Sequence, residues 1–419
     1  MVGSRSIHAP RLDPALPELS LVLDVEAVAR RFERVRRSAT GTKLAIAACK
    51  RRDTSYEPGA RCTAVYELSG TAPGGANVHT IGVLEITRSG IAQRWFQEDP
   101  ALPRLTEAID EAAMTKRLAE VVGAEGQSVV ACRITPVRYK PARSCVLRYD
   151  VGTPAGERVL FGKLVAGHGD ELASTVAALH EASRFTPLMP RIPRPVAYWP
   201  DLQLLAQPAV ANGVDLSTQI FGTSTAIAER AKWMDAAGEA LAAFHASVTV
   251  AGPRRTIESD LREVRGYRGP LAQVLPDLAQ PFDRALAAVS ELAAGHPEPA
   301  PVASHGALRT DQLLIDGSRL AAIDLDGFCW ANPARDVGNM LAYLDWKAIR
   351  VPEHAALAER AQSAFLAGYE NAGRPVAEQW LRAYRAVSML KITGRRVRGL
   401  SVDEWPLLPR LLDTASASL

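Results

Sequence analysis

The chain has 419 residues, 47% of them hydrophobic and 23% charged, with 49 basic against 46 acidic side chains. That balance excludes disordered, collagen-like and disulfide-scaffold classes. A net charge of +3 is too small to imply a nucleic-acid partner.

No run of about 18 apolar residues is present, so no membrane-spanning helix is expected. The start, MVGSRSIHAP, has no apolar core of the kind a secretion signal needs. The five cysteines (Cys49, Cys62, Cys132, Cys145, Cys329) form no CxxC pair, which fits a reducing cytoplasm rather than a zinc or disulfide framework. Of the basic residues only 8 are lysine and 41 are arginine, so a lysine in an unexpected place is the more informative residue.

In chain order, residues 1–20 are proline-rich and aperiodic and read as a loose arm. A repeat follows. SYEPGARCTAVYEL (55–68) matches RYKPARSCVLRYDV (138–151) at a constant spacing of 83 residues: Tyr56 with Tyr139, Pro58 with Pro141, Cys62 with Cys145, Tyr66 with Tyr149. A helical stretch precedes each copy (24–32 and 110–118), a turn follows each (70–75 and 152–157), and then another strand, IGVLEI (81–86) and FGKLV (161–165). The alternation in CTAVYEL and CVLRYDV suits half-buried antiparallel strands. Residues 21–105 are therefore expected to form an α+β cap unit and 106–209 a duplicate of it. The expected difference is that Val83 stands where the second copy has Lys163. From about residue 170 the pattern turns helical, at 171–185, 229–248, 281–294, 355–373 and 376–392, so 210–419 is expected to be a helix-rich lobe.

SHGALRTDQLLIDGSRLAAIDLDGFCWANPARDVGNMLAYL (304–344) carries the chemistry. It reads as a His-Gly turn, two short strands joined at Gly317-Ser318, then a loop and a helix. Acidic groups at strand ends can converge on a hard cation such as magnesium, and a lysine on a distant strand can neutralise phosphates. A lysine between apolar strand neighbours, as Lys163 is, is costly unless its head finds a partner.

These residues resemble the aminoglycoside phosphotransferase and choline kinase family, whose pattern is roughly HGDxxxxN, a strand pair, then IDxxxxxxxDPxxDLA. Here it reads His305-Gly306-Ala307 through Gln312, Ile323-Asp324-Leu325-Asp326, and Asn332-Pro333 through Asp336. The resemblance covers about residues 125–400 and implies an α+β, protein-kinase-like bilobal fold: an antiparallel-sheet small lobe and a helical large lobe. The cap in front is similar to that of maltokinase-like relatives. The implied cofactors are ATP and magnesium, and the implied partner is a small-molecule acceptor, without nucleic acid or membrane.

By the same resemblance, Lys163 holds the nucleotide phosphates and Glu181, or its competitor Glu171, pairs with that lysine. Asp324 and Gln312 bind the metal. His305 and Asp336 brace the catalytic loop. The adenine lies against a hinge near Gln207 and Ala209. No glycine-rich loop is present; Arg143 or Ser144 are candidates for phosphate contact, and Arg138 and Lys140 are expected to face solvent.

The departure is Ala307, where the family has the aspartate that accepts or orients the acceptor's proton. Three readings stay open. The chain is an active phosphotransferase with a relocated carboxylate, Asp326 first and Asp311 second. Or it is a pseudokinase-like module that binds nucleotide, a metabolite or a protein partner. Or alanine is a substitution in an otherwise ordinary site.

Overall fold

The computed structural model describes residues 13–34, 44–123, 126, 128–210, 213–222, 227–247 and 250–419. After α1 (Val25–Phe32), four strands form an antiparallel sheet in the order β1 (Ala45–Glu57), β2 (Arg61–Thr71), β3 (Asn77–Thr87) and β4 (Gly90–Trp95). Two helices, α2 (Leu105–Ala108) and α3 (Glu111–Gly123), lead into β5 (Ala131–Lys140), β6 (Ser144–Thr153) and β7 (Gly156–Val165). With β8 (Ala197–Trp199) and β9 (Leu204–Pro208) these make a second antiparallel sheet, ordered β5-β6-β7-β9-β8, with α4 (Gly169–Phe185) between β7 and β8.

The two copies share more than sequence. In each, an aspartate before the helix caps it: Asp24 accepts from the Ala27 N–H at 2.9 Å and Asp110 from the Ala113 N–H at 2.8 Å. In each, a buried tyrosine on the central strand donates to a carbonyl, Tyr66 to Val22 (2.8 Å) and Tyr149 to Ala108 (3.0 Å). In each, another aspartate clamps the hairpin tip. Asp13 takes the Tyr56 hydroxyl at 2.8 Å and the Gly59 N–H at 2.7 Å; Asp99 takes the Tyr139 hydroxyl at 2.5 Å and the Ala142 N–H at 2.7 Å. Residues 13–20 are thus not a loose arm: Leu16 and Leu19 are buried and Asp13 anchors a turn. Residues 1–12 lie outside the described residues.

The register corrects one expectation. Lys163 faces Val146, and the counterpart of Val146 in the first copy, Thr63, faces Glu85. Glu85, not Val83, stands where Lys163 does. The cause is a shorter turn in the second copy, where Thr153 pairs with Gly156, against Thr71 with Asn77 in the first.

The faces of the two sheets have different fates. In the first, Cys62, Ala64, Tyr66 and Leu68 join α1 in a core that continues into the large lobe, while Val65, Ile81 and Val83 on the opposite face join the core of the second sheet. Both faces are thus covered at their centres, with Thr63 and Glu85 left partly buried. In the second, Cys145, Leu147, Tyr149 and Val151 pack with Met114 and Leu118 of α3, and the opposite face, carrying Val146 and Lys163, is left only partly buried.

The large lobe holds α5 (Leu216–Phe221), α6 (Ile227–Ala246), α7 (Ile257–Arg265), α8 (Arg268–Val274) and α9 (Ala279–Ala294). Next come two small antiparallel pairs, β10 (Val302–Ser304) with β13 (Cys329–Ala331) and β11 (Leu313–Asp316) with β12 (Arg319–Ala322). The helices α10 (Ala334–Arg350), α11 (Ala355–Asn371), α12 (Glu378–Arg398) and α13 (Leu408–Ala417) complete it. No helix of the described residues is long and apolar enough to cross a membrane.

Candidate active site

β10 ends in Ser304, and the chain turns through His305 and Gly306 into the loop 305–312. Gly306 is at φ 88, a left-handed conformation that suits glycine, and a Cβ there would lie 1.9 Å from the Gly327 carbonyl oxygen. The loop therefore runs in backbone contact with the turn that follows Asp326. Asp336, fully buried at the start of α10, accepts the Gly306 N–H at 2.9 Å and the Leu308 N–H at 3.3 Å. Burial would raise its pKa, but His245 at 3.4 Å, with His305 and Arg335, holds the carboxyl below the ordinary range. His305 bonds the Ile323 carbonyl at 2.9 Å and so ties the loop to the end of β12. His305 and Asp336 both sit as scaffold groups, and neither reaches outward as a base.

Asp324 follows β12 at φ 62, a conformation disfavoured for a non-glycine residue. That turn aims its carboxylate at the second sheet: Lys163 Nζ lies 2.8 Å from Asp324 and 2.5 Å from Asp326. Burial pushes the Asp324 pKa up. The ammonium of Lys163, with Lys140 and Arg138 beyond it, outweighs that and holds the carboxyl well below the usual range. One cation thus meets two carboxylates across the cleft between the lobes.

Other expectations are corrected. Glu181 does not meet Lys163. It is exposed on α4 and pairs with Arg184 at 3.1 Å; Glu171 is exposed too, because the buried stripe of α4 is Leu172, Val176, Leu179 and Ser183. Gln312 presents Nε2 to Asp324 at 3.3 Å, while its oxygen accepts the Arg309 N–H at 2.9 Å and closes its own short turn. Asp311 is turned away: its side chain is 55% exposed and lies on Arg309 at 2.9 Å. Gln207 donates to the Pro193 carbonyl at 2.7 Å, and the Ala209 N–H to Val159 at 3.0 Å. Strand pairing thus takes the donor of Ala209 that a base would use. Arg143 is exposed at the hairpin tip and Ser144 pairs with both Lys140 and Val165. Arg138 is exposed, as expected, whereas Lys140 is half-buried, and both charges act on Asp324. Ala307 is half-buried between Gly306 and Leu308.

Behind the loop lies an ion network that no motif announces. Arg335 of α10 donates to the Gly306 carbonyl and makes two bonds to Asp260 of α7, at 2.8 and 3.1 Å. Lys391 of α12 joins the same carboxylate at 2.7 Å. The one available signal was Lys391 itself, a scarce lysine inside the apolar run SMLKITG.

The donor set fits magnesium, which takes one or two carboxylates plus phosphate oxygens rather than an all-protein cage. Asp324 offers hard oxygens, and the Gln312 oxygen would join it on rotation of its amide. Among the described residues no group of three or more His, Cys, Asp or Glu suited to a metal occurs.

No curated protein matches the chain. Among solved structures it is similar to the aminoglycoside phosphotransferase APH(4)-Ia, at 16% identity over 73% of this chain and 99% of that one, with a TM-score of 0.50. It is also similar to the spectinomycin phosphotransferase APH(9)-Ia in complex with ADP and spectinomycin (13% identity, 72% and 98% covered, TM-score 0.49). A glucosamine kinase aligns over 96% of this chain and 98% of its own, at 16% identity and a TM-score of 0.47. The fold is protein-kinase-like. The family model of the phosphotransferase enzyme family matches residues 147–380, more than half of the chain and the span that holds Lys163, Asp324 and Asp336. The chain belongs to the phosphotransferase enzyme family.

Proposed function

We propose that the chain is an ATP- and magnesium-dependent kinase that transfers a phosphoryl group to a hydroxyl of a small molecule. One observation carries the reading: Lys163, on a sheet strand, meets Asp324 and Asp326 from the turn that touches the Gly306 loop. In phosphoryl transfer there is little covalent work for the protein; positioning and charge do most of it. In this reading Lys163 leaves its two carboxylates and binds donor phosphates. Asp324, with Gln312 turned, holds the metal, which neutralises charge on the phosphate oxygens. Asp326 lies beside the loop whose Ala307 has no carboxylate and takes the acceptor proton. Asp336, His245 and Arg335 hold the loop rigid so that the acceptor oxygen arrives in line.

The test is binding, then turnover. MgATP at 100 times its Kd is expected to stabilise the protein by about 2.7 kcal/mol, raising the melting temperature, and Lys163→Ala and Asp324→Ala should each remove that rise. Release of ADP across a library of alcohols then identifies the acceptor. A melting curve unmoved by millimolar MgATP would sink the nucleotide assignment.

A further inference from the structure

We propose that the β5–β6 hairpin is a phosphate-binding element that works through side chains: Lys140 and Arg138 grip the terminal phosphates of a polyphosphate over Asp324. This takes the place of backbone N–H groups in a glycine-rich loop. The inference rests on the donor reading of the Lys163 site.

The register places the charges together. Arg138 faces Val146, and Val146 faces Lys163; Lys140 faces Ser144, which faces Val165. Directly opposed residues and residues two apart share a face of a sheet. Arg138, Lys140 and Lys163 therefore stand on one face, the partly buried one that overlooks Asp324.

The backbone of the hairpin has little left to give. Its turn contains no glycine: Pro141 lacks an N–H, the Ala142 N–H is held by Asp99 at 2.7 Å, and the Arg143 N–H bonds the Lys140 carbonyl at 3.0 Å. A cradle of free N–H groups, the usual anion nest, cannot form there.

The side chains are the reverse case. Among the described residues, the side chains of Arg138, Lys140 and Arg143 make no hydrogen bond or ion pair, and Lys140 is half-buried. A partly desolvated ammonium without a partner is unfavourable. Burial, then the charges of Arg138, Lys163 and Arg143, push the Lys140 pKa down, and Asp324 pulls it back up. A polyanion would relieve that repulsion. The hairpin is also held in place beforehand: Asp99 fixes the Tyr139 hydroxyl at 2.5 Å, and Arg94 of β4 donates to the same hydroxyl at 3.0 Å. A hairpin backbone fixed before binding loses less entropy when the ligand arrives.

The experiment measures Kd by calorimetry for MgATP, AMP and inorganic tripolyphosphate, on wild type, Lys140→Met, Lys140→Arg, Arg138→Met and Lys163→Ala. Lys140→Met is expected to weaken MgATP and tripolyphosphate by about 10- to 100-fold, the size of a lost charged hydrogen bond. AMP should change little and Lys140→Arg should retain binding. Arg138→Met should act in the same direction, which guards against a folding defect in one variant. If wild type binds MgATP and Lys163→Ala loses it, while Lys140→Met and Arg138→Met both bind within twofold of wild type, the inference is overturned. Binding of tripolyphosphate without MgATP would keep the hairpin's role and refute the donor reading. Binding of neither overturns both.

Discussion

Asp326→Asn is expected to lower acceptor phosphorylation by about 10²–10⁴-fold, the usual range for loss of a positioned proton acceptor. The family's aspartate position is Ala307, which can neither accept nor orient a proton. The loop that carries it touches the Asp326 turn, since a Cβ on Gly306 would lie 1.9 Å from the Gly327 carbonyl oxygen. Asp326 is 30% exposed and its only ion-pair partner among the described residues is Lys163 at 2.5 Å, a partner that donor phosphates would draw away. Asp311→Asn is expected to have no effect on turnover, because Asp311 lies on Arg309 at 2.9 Å and points outward. Ala307→Asp should add little, because a third carboxylate beside Asp324 and Asp326 brings like charges together and raises a pKa. Steady-state rates of the three variants on one acceptor decide the matter. Wild-type turnover that survives Asp326→Asn would leave catalysis to positioning and charge stabilisation. An inert wild type that Ala307→Asp brings to life would mark the chain as a silent module that lost only its base.

How much was readable in advance differs by level. The helices expected at 171–185, 229–248, 281–294 and 355–373 appear at Gly169–Phe185, Ile227–Ala246, Ala279–Ala294 and Ala355–Asn371, and that expected at 376–392 runs on to Arg398, because each carries an apolar stripe at helical spacing. Lys163 and Asp324 each stand out in the sequence, a lysine amid apolar strand residues and an aspartate at a strand end, but nothing there joins them: the resemblance pairs Lys163 with Glu181 or Glu171, and the structure pairs it with Asp324. The failures have physical causes. The equivalence of Val83 and Lys163 fails because register depends on turn length, which a comparison of strands ignores. Glu181 fails because helical spacing names a face without saying which face meets the sheet. Lys140 is half-buried rather than exposed because alternation marks a polar face but does not show what the other lobe sets beneath it. Asp260 and Lys391 act through partners distant in sequence, being 131 residues apart, and Asp99 clamps a hairpin some 40 residues on. No local pattern could join them.

Asp260→Ala is expected to cost about 3–5 kcal/mol of stability, the penalty for removing one partner from a buried ion cluster. Asp260 is 2% exposed and satisfies Arg335 through two bonds and Lys391 through a third. Its loss leaves Arg335 its bond to the Gly306 carbonyl but takes away its carboxylate, while Lys391 keeps Glu263 at 2.7 Å. Double replacement of Asp260 and Lys391 by Leu and Met should cost less than the sum of the single changes, a coupling of about 0.5–3 kcal/mol for residues in contact. The pH dependence has a definite sign. Burial raises the Asp260 pKa, but Arg335 and Lys391 outweigh burial and hold it below its unfolded value. Its contribution is therefore full above the unfolded pKa of about 3.9 and declines as pH falls toward the folded one. Urea unfolding of wild type and variant should show the widest gap near neutrality and a narrowing gap below about pH 4. Arg335 also donates to the Gly306 carbonyl, so the variant's folded fraction should turn over more slowly as its loop loses an anchor. A gap that stays constant from neutral pH to about pH 3 would mean that Asp260 stabilises the fold by packing and not by charge.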